Sequence, residues 1–510
     1  MIFTRRVLTR GALIGVAAIG TTYYWPQVKF GGKATVRVTR SFLTVACIGV
    51  DYKFSLSHFW RKQANGKLSI DDAAAYEAKK HAVHLRAAKW LLWLFQLNGG
   101  IYIKLGQHLA TLDFILPTEY TQTLSVLFNK APQSTADEIE KVIVEELGGH
   151  SLKDHFDEFD YPPIGAASLA QVHKARLRGS GDVVAVKVQH ERLKGFADVD
   201  IVTAAVLVKA VKAVFPQFEF TWLAEELREN LPRELNFLIE GHNAERTGRN
   251  FNKSGLFRVP KIYWAQTGKR VLTMEYCTGD RVNDVDNLAA KGISLRQVSD
   301  RLTKAYSEMI FVHGFVHCDP HPGNILVDKH GELVLLDHGL YKELSHDFRL
   351  SYARLWKALV DGDERAIELE SKALGGGSAH RLFSSILTHR SWDKVKGRSL
   401  NQPRTLAEIE AIRGKFPEYF EKIALILASV PRPLLLLLKT NDLLRCIDRT
   451  LLGDNTSGTR SFLIMARYCS WAIFEDDLLR RTIFGSLIST FRYVYSIAKY
   501  RLAELFILYL

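Results

Sequence analysis

The sequence predicts an α+β chain of two lobes, the first mostly β with an embedded helix, the second helical with a small hairpin, and a helical extension ahead of both. Three observations carry this expectation. Helical patterns with few breakers run through residues 69 to 128, "DDAAAYEAKKHAVHLRAAKWLLWLFQLNGGIYIKLGQHLATL" among them. β-branched runs of strand length follow, "VVAVKVQH" (183–190) and "KRVLTMEY" (269–276), bounded by glycine, and "ILVD" and "LVLLD" flank a turn at Lys329 to Gly331. From about residue 345 helical periodicity returns. A chain of 510 residues that is 47% apolar can bury more than one core, so two or more subdomains are expected.

The amino end reads as an address rather than a domain. Its first fifty residues hold seven Lys or Arg and no carboxylate before Asp51, the composition of a mitochondrial presequence, which must form a cationic amphipathic helix. Gly11 to Trp25 is apolar and uncharged over only 15 residues, short of the ~20 that cross a bilayer. Targeting, alone or combined with a membrane anchor, is expected over 1–40, with an ordinary buried helix as the alternative.

Charge and cysteine usage exclude several classes. The formal net charge of +13 suits attraction to acidic lipid, phosphate or nucleic acid, but no basic run with interleaved aromatics points to nucleic acid. Five scattered cysteines without a CxxC pair argue against a zinc ribbon and a disulfide framework, and Cys318 reads as a small filler residue.

Chemistry concentrates in "HGFVHCDPHPGNILVDKHGELVLLDHGL" (313–340). Asp319 precedes Asn324 by five residues, and Asp337 closes the second strand of a hairpin just ahead of a glycine two residues on. A carboxylate and an amide on a loop, then a second carboxylate, form the pattern by which phosphotransferases hold magnesium against nucleotide phosphates, because this hard cation takes oxygen ligands. His317 and His321 are four apart, yet Pro320 and Pro322 prevent the regular helix that would align them on zinc. Hydrogen bonds that fix the loop are their expected role.

The remaining parts of such a site lie upstream in the right order. Lys187 in "VAVKV" matches the strand lysine that holds the α and β phosphates. Among the carboxylates of "WLAEELRENLPRELNFLIEGHNAER", Glu240 is expected to pair with it; Asn236 shares its helical face, whereas Glu234 lies well round the helix. "VLTMEYCTG" reads as the strand and hinge where backbone groups of Glu275 to Cys277 meet an adenine edge. No G-x-G-x-x-G precedes Lys187. The corresponding "PPIGAASLAQVHKARL" is rich in alanine, and alanine stiffens the turn.

Together "YIKLGQHLATLDFILPTEYTQTLSVLF", "PPIGAASLAQVHKA", "VAVKVQH", "ELNFLIEGHNAE", "HGFVHCDPHPGNIL" and "LLDHGL" resemble the UbiB, or aarF-domain-containing, family of atypical kinases. The resemblance covers about residues 95 to 345 and continues through "VPRPLLLLLKTNDLLRCID". It implies an atypical protein-kinase-like two-lobe fold with a helical N-terminal extension over 41–155, an N-lobe over 156–280 and an all-helical C-terminal lobe over 281–510. It further implies ATP and Mg2+ as cofactors, with Lys187 on the nucleotide, Glu240 its ion-pair partner and Asp319 the catalytic-loop aspartate. Asn324 and Asp337 become the metal ligands, and Ala166, Ala167 and Ser168 the alanine-rich nucleotide loop. The Lys-x-Gly-Gln signature falls on Lys104, Gly106 and Gln107, whose helix the resemblance places over the site, in concert with a Glu-x-Asp motif. Here that motif reads Glu234-Leu235-Asn236, and Asn keeps the shape but loses the charge.

Two features argue against an ordinary protein kinase: no Ala-Pro-Glu follows Asp337, and the signature helix would crowd a peptide platform. The expected function is an ATP-using atypical kinase or ATPase in mitochondrial lipid homeostasis, related to ubiquinone or to membrane lipid. A nucleotide-gated binder of an isoprenoid or other lipid is the alternative, and a Ser/Thr protein kinase comes third. The end of the chain, "LLRRTIFGSLISTFRYVYSIAKYRLAELFILYL", alternates apolar and basic residues with one carboxylate after the opening leucines, Glu504. It suits packing on the core or lying on an anionic membrane. With the cationic amino end this makes an inner-membrane association the expected location.

Overall fold

The computed structural model describes residues 32–64, 69–110, 116–128, 133–214, 221–377, 379–397, 430–453, 459–480 and 483–509. The apolar stretch expected to belong to the targeting segment, Gly11 to Trp25, lies outside these residues. The chain divides into two compact units, Met1–Leu238 with Tyr263–Glu275, and Ile239–Ile262 with Tyr276–Leu510.

In the first unit, helices α1 (Gly32–Ala64), α2 (Ile70–Asn98), α3 (Ile101–Ala110) and α4 (Thr118–Leu124) come first. Ser69 and Asp72 form a reciprocal capping box that starts α2, and Thr135 and Glu138 do the same for α5 (Ala136–Leu147). A sheet follows, of β1 (Phe156–Phe159), β2 (Gly165–Ala166), β3 (Ala170–Leu177), β4 (Val183–Gln189) and, later in the chain, β6 (Val271–Glu275). Its order is β1-β3-β4-β6 with β2 on β3, antiparallel throughout. Because strand side chains alternate, Val184, Val186 and Val188 bury one face of β4 against Ile139, Val142 and Ile143 of α5, leaving Lys187 on the other. Helices α6 (Ala197–Val214) and α7 (Thr221–Glu234) complete the unit.

The expected helical extension does not stand apart from the β-rich part. Phe95, Ile101, Tyr102, Leu105, Leu124 and Leu127 share one apolar core with Leu169, Leu193, Ile201 and Leu231. Two of the seven amino-terminal cations also serve the fold. The Arg37 guanidinium pairs with Asp200 of α6, and Arg40 donates to Asn98 Oδ1 at 2.8 Å. Asp200 is buried, and desolvation pushes its carboxyl up to about 6 even though Arg37 opposes the shift.

The division between the units falls within α8 (Phe237–Phe251), so most of that helix and β5 (Phe257–Arg258) go with the second unit instead of the expected N-lobe. The second unit is not all helical. A four-stranded sheet has the order β5-β10-β9-β7, with β7 at Asp280–Arg281, β9 at Ile325–Val327 and β10 at Leu333–Leu335; β8 (Phe315–His317) pairs with β11 (Tyr341–Glu343). The β9–β10 hairpin is legible in the sequence but its neighbours are not, because β5 and β7 are two residues each, too short for a period to register. Helices α9 (Val285–Ala290), α10 (Leu295–Glu308), α11 (His346–Asp361), α12 (Glu364–Ala373), α13 (His380–Thr388), α14 (Trp392–Lys396), α15 (Arg432–Leu452), α16 (Thr459–Arg480) and α17 (Ile483–Tyr509) make up the rest. They enclose a core with Trp356, Tyr306, Tyr352 and Phe311 at its largest.

Of the two roles weighed for α17, packing on the core is the one its contacts display. One face packs: Tyr500 is buried with its hydroxyl on Asp361, and Glu504 pairs with Arg460 and Arg467. The other exposes Leu487, Phe491, Val494, Tyr495, Leu502 and Leu505. No helix among the described residues is long and apolar enough to cross a membrane.

Candidate nucleotide site

In the first unit, Lys187 sits mid-strand with Val172 on one side and Leu272 on the other, so the backbone of β4 is held by two neighbours. Its Nζ lies 5.1 Å from the centroid of the Phe237 ring at the start of α8, a cation–π contact. Asn236 Oδ1 accepts from Leu238 N at 3.2 Å, which caps that helix. The departure from Glu-x-Asp is therefore structurally tolerated, since Asn and Asp cap equally well.

The alanine-rich loop is tied down from both ends. Gly165, Ala166 and Ala167 are exposed, while Ser168 is buried and donates to Gln107 Oε1 at 3.2 Å. Gln107 in turn donates to Leu127 O at 3.1 Å. Across the loop, Ala167 O meets His190 Nε2 at 3.0 Å and Ser134 Oγ meets His190 Nδ1 at 2.9 Å. Lys104, one turn earlier on α3, bridges to buried Glu234 at 2.8 Å. Gly106 is required by close approach: a Cβ there would stand 2.2 Å from Leu127 Cδ1 and 2.7 Å from Phe95 Cδ2. Each residue of Lys-x-Gly-Gln thus has a separate partner, and Gln107 is the one that reaches the loop.

In the second unit, α10 ends in a π turn, Met309–His313, and Gly314 takes the left-handed conformation that turns the chain into β8. His317 is buried with its Nδ1 2.9 Å from the Tyr306 hydroxyl. Burial lowers the pKa of His317, and that of His321 likewise. His321 Nδ1 accepts from Gly323 N at 3.1 Å, so both histidines hold the loop. Asn324 Nδ2 donates to Asp319 O at 3.2 Å, and Leu336 N donates to Asn324 O at 2.9 Å. The antiparallel register, Ile325 opposite Leu335, then sets Asn324 and Asp337 at the same open end of the hairpin. Asp337 Oδ1 accepts from Gly339 N at 2.9 Å. Glu240 is buried beside this turn, its Oε1 3.5 Å from His338 N, and Asn243 Nδ2 donates to His338 O at 3.0 Å.

The second unit therefore gathers Asp319, Asn324, Asp337 and Glu240, and the first gathers Lys187, Ser168 and the signature residues. Glu240 follows Phe237 by one turn on α8. Glu275 and Cys277 flank the point, after Glu275, where the chain passes between units. Asn324 and Asp337 supply hard oxygen donors and no sulfur or imidazole, a set that fits Mg2+ completed by phosphate and water. Among the described residues no cluster of three or more His, Cys, Asp or Glu forms a metal cage.

Sequence reasoning missed one member. Lys439 of α15 forms an ion pair with Asp319 Oδ1 at 3.2 Å. The only hint in the sequence is a lysine that interrupts the apolar run in "PLLLLLKTND".

A domain described as ABC1 atypical kinase-like matches residues 126–371. AarF domain-containing protein kinase 1 of Xenopus laevis is 46% identical over 92% of this chain and 89% of its own length. The chain belongs to the ABC1 atypical kinase-like family. The mouse protein of the same name is 45% identical over 91% of this chain and 86% of its own, and AarF domain-containing kinase 1 of Drosophila melanogaster 39% over 94% and 92%. The ABC1 similarity thus extends well beyond the matched domain in both directions. The resemblance to the UbiB, or aarF-domain, family is thereby confirmed, as is the kinase-like α+β fold class.

Proposed function

We propose that this ABC1 protein binds ATP with magnesium and uses it as an atypical kinase or ATPase in mitochondrial lipid homeostasis. The observation that carries the reading is the convergence of Asp319, Asn324 and Asp337 on one loop and one hairpin end. Phosphoryl transfer is largely positioning and charge neutralisation, and each residue has a part in it. Asn324 and Asp337 would hold the metal, which would supply neutralisation of the phosphate charge. Lys187 binds the α and β phosphates. The loop of Ala166, Ala167 and Ser168 covers the phosphates, the backbone of Glu275 to Cys277 meets the adenine, and Asp319 orients the acceptor hydroxyl or water.

Mitochondrial placement is supported by the acid-free, cationic amino end. Membrane association is supported by α17, whose exposed apolar face is flanked by exposed Arg492 and Arg501. That same face favours a second reading, in which nucleotide binding gates capture of a lipid and no acceptor is phosphorylated.

Phosphate release by the purified full chain, with and without anionic vesicles, separates the two. The first reading expects release that Asp319→Asn abolishes. Nucleotide binding without Asp319-dependent release under any condition selects the lipid binder, and no nucleotide binding by calorimetry ends both.

A further inference from the structure

We infer that Lys439 is a positioning residue for phosphoryl transfer, holding the Asp319 carboxylate and placing a fixed positive charge beside it. This rests on the phosphotransferase reading above. The catalytic loop itself offers no cation: between Asp319 and Asn324 stand only Pro320, His321, Pro322 and Gly323. His321 is not a substitute, because its Nδ1 accepts from Gly323 N and the ring is then neutral. Charge developing on a transferred phosphoryl group calls for preorganised positive groups near the acceptor side as well as at the metal. Lys439 Nζ is 3.2 Å from Asp319 Oδ1, on a side chain 16% exposed, whereas the Asp319 side chain is 33% exposed and opens toward solvent. The cation is sheltered and the carboxylate is presented.

The alternative, that Lys439 only fastens its helix, is poorly served by the rest of α15. That helix is already anchored: Leu434 and Leu437 are fully buried, Asn441 Nδ2 donates to the Tyr352 hydroxyl at 3.0 Å, and Asp448 pairs with Ser299. Arg445 also donates to Leu387 O. A lysine directly after five leucines, next to buried Leu438 and Thr440, carries a desolvation cost that packing alone does not require.

The test compares Lys439→Met and Lys439→Arg with the wild-type full chain, measuring magnesium-ATP turnover as kcat and KM, nucleotide affinity by calorimetry, and Tm. Lys439→Met is expected to lower kcat on the order of 100-fold while KM and nucleotide affinity stay within about threefold. Lys439→Arg, which keeps the charge, is expected to recover about tenfold of that loss. A Met variant that turns over like wild type overturns the inference, as does an Arg variant as slow as Met with Tm lowered equally in both, which is the signature of a purely structural tie. Wild-type protein that binds no nucleotide defeats the phosphotransferase reading itself, before any variant is compared. Wild type that binds nucleotide but never turns it over removes the reaction Lys439 is assigned to.

Discussion

Arg37 and Asp200 show how much a single contact can depend on pH. The Asp200 carboxyl is buried, with a pKa raised to about 6 against an ordinary value near 4, and Arg37 is its ion-pair partner. A raised carboxyl pKa means the folded state holds the proton more tightly, so this group favours folding most at low pH and that contribution is lost as pH rises through about 6. Arg37→Met leaves the carboxylate without a counter-charge. It is expected to destabilise by about 3 kcal/mol at pH 8 and by clearly less at pH 5, where Asp200 is protonated. Thermal melts at the two pH values check this, and an equal loss at both would show that the guanidinium acts through packing instead. Gly106 teaches a related lesson: two side chains occupy the space a Cβ needs, a requirement set by neighbours twenty-one and eleven residues away along the chain.

At the scale of elements, α3 and α17 each divide their labour by face. Helix α3 buries Ile101, Tyr102, Ile103 and Leu105, and from its remaining positions sends Lys104 to Glu234 and Gln107 to Ser168. Helix α17 packs through Tyr500 and Glu504 and leaves an apolar stripe with arginines on its flanks. If that stripe lies on lipid, replacing Leu487, Phe491 and Val494 with serine will weaken flotation with anionic vesicles without shifting Tm. Arg492→Gln and Arg501→Gln should each cost about 1 kcal/mol, roughly fivefold in partitioning, and only at low salt. Unchanged flotation of the serine variant would take the membrane role away from this helix. The hairpin was legible because Gly331, at φ +77°, and the Asp328 carboxylate, which accepts from His330 N and Glu332 N, leave a turn signature. Strands β5 and β7 left none, since two residues carry no period.

For the whole molecule, the testable quantity is linkage. A ligand that binds only the folded chain raises its stability by mass action, about 2.7 kcal/mol at a hundred times the dissociation constant. Magnesium-ATP is expected to raise Tm, EDTA to remove most of the shift, and Asp337→Asn to remove it even with excess magnesium. A shift equal with and without EDTA would separate nucleotide binding from Asn324 and Asp337.

Residue types, spacings and the resemblance they carry were enough to point to the family, the α+β class and the candidate residues Lys187, Asp319, Asn324 and Asp337. Motifs of this kind are local: five residues from Asp319 to Asn324 are read off the chain because the loop that uses them is continuous. Tertiary structure decided what depends on segments meeting. It merged the helical extension with the β-rich part into one unit, gave Lys104, Gly106 and Gln107 their separate partners, and brought Lys439 from 120 residues away to the Asp319 carboxylate. A lysine on an apolar helix reads the same in sequence whether it faces water or a carboxylate; only the packing of α15 distinguishes them.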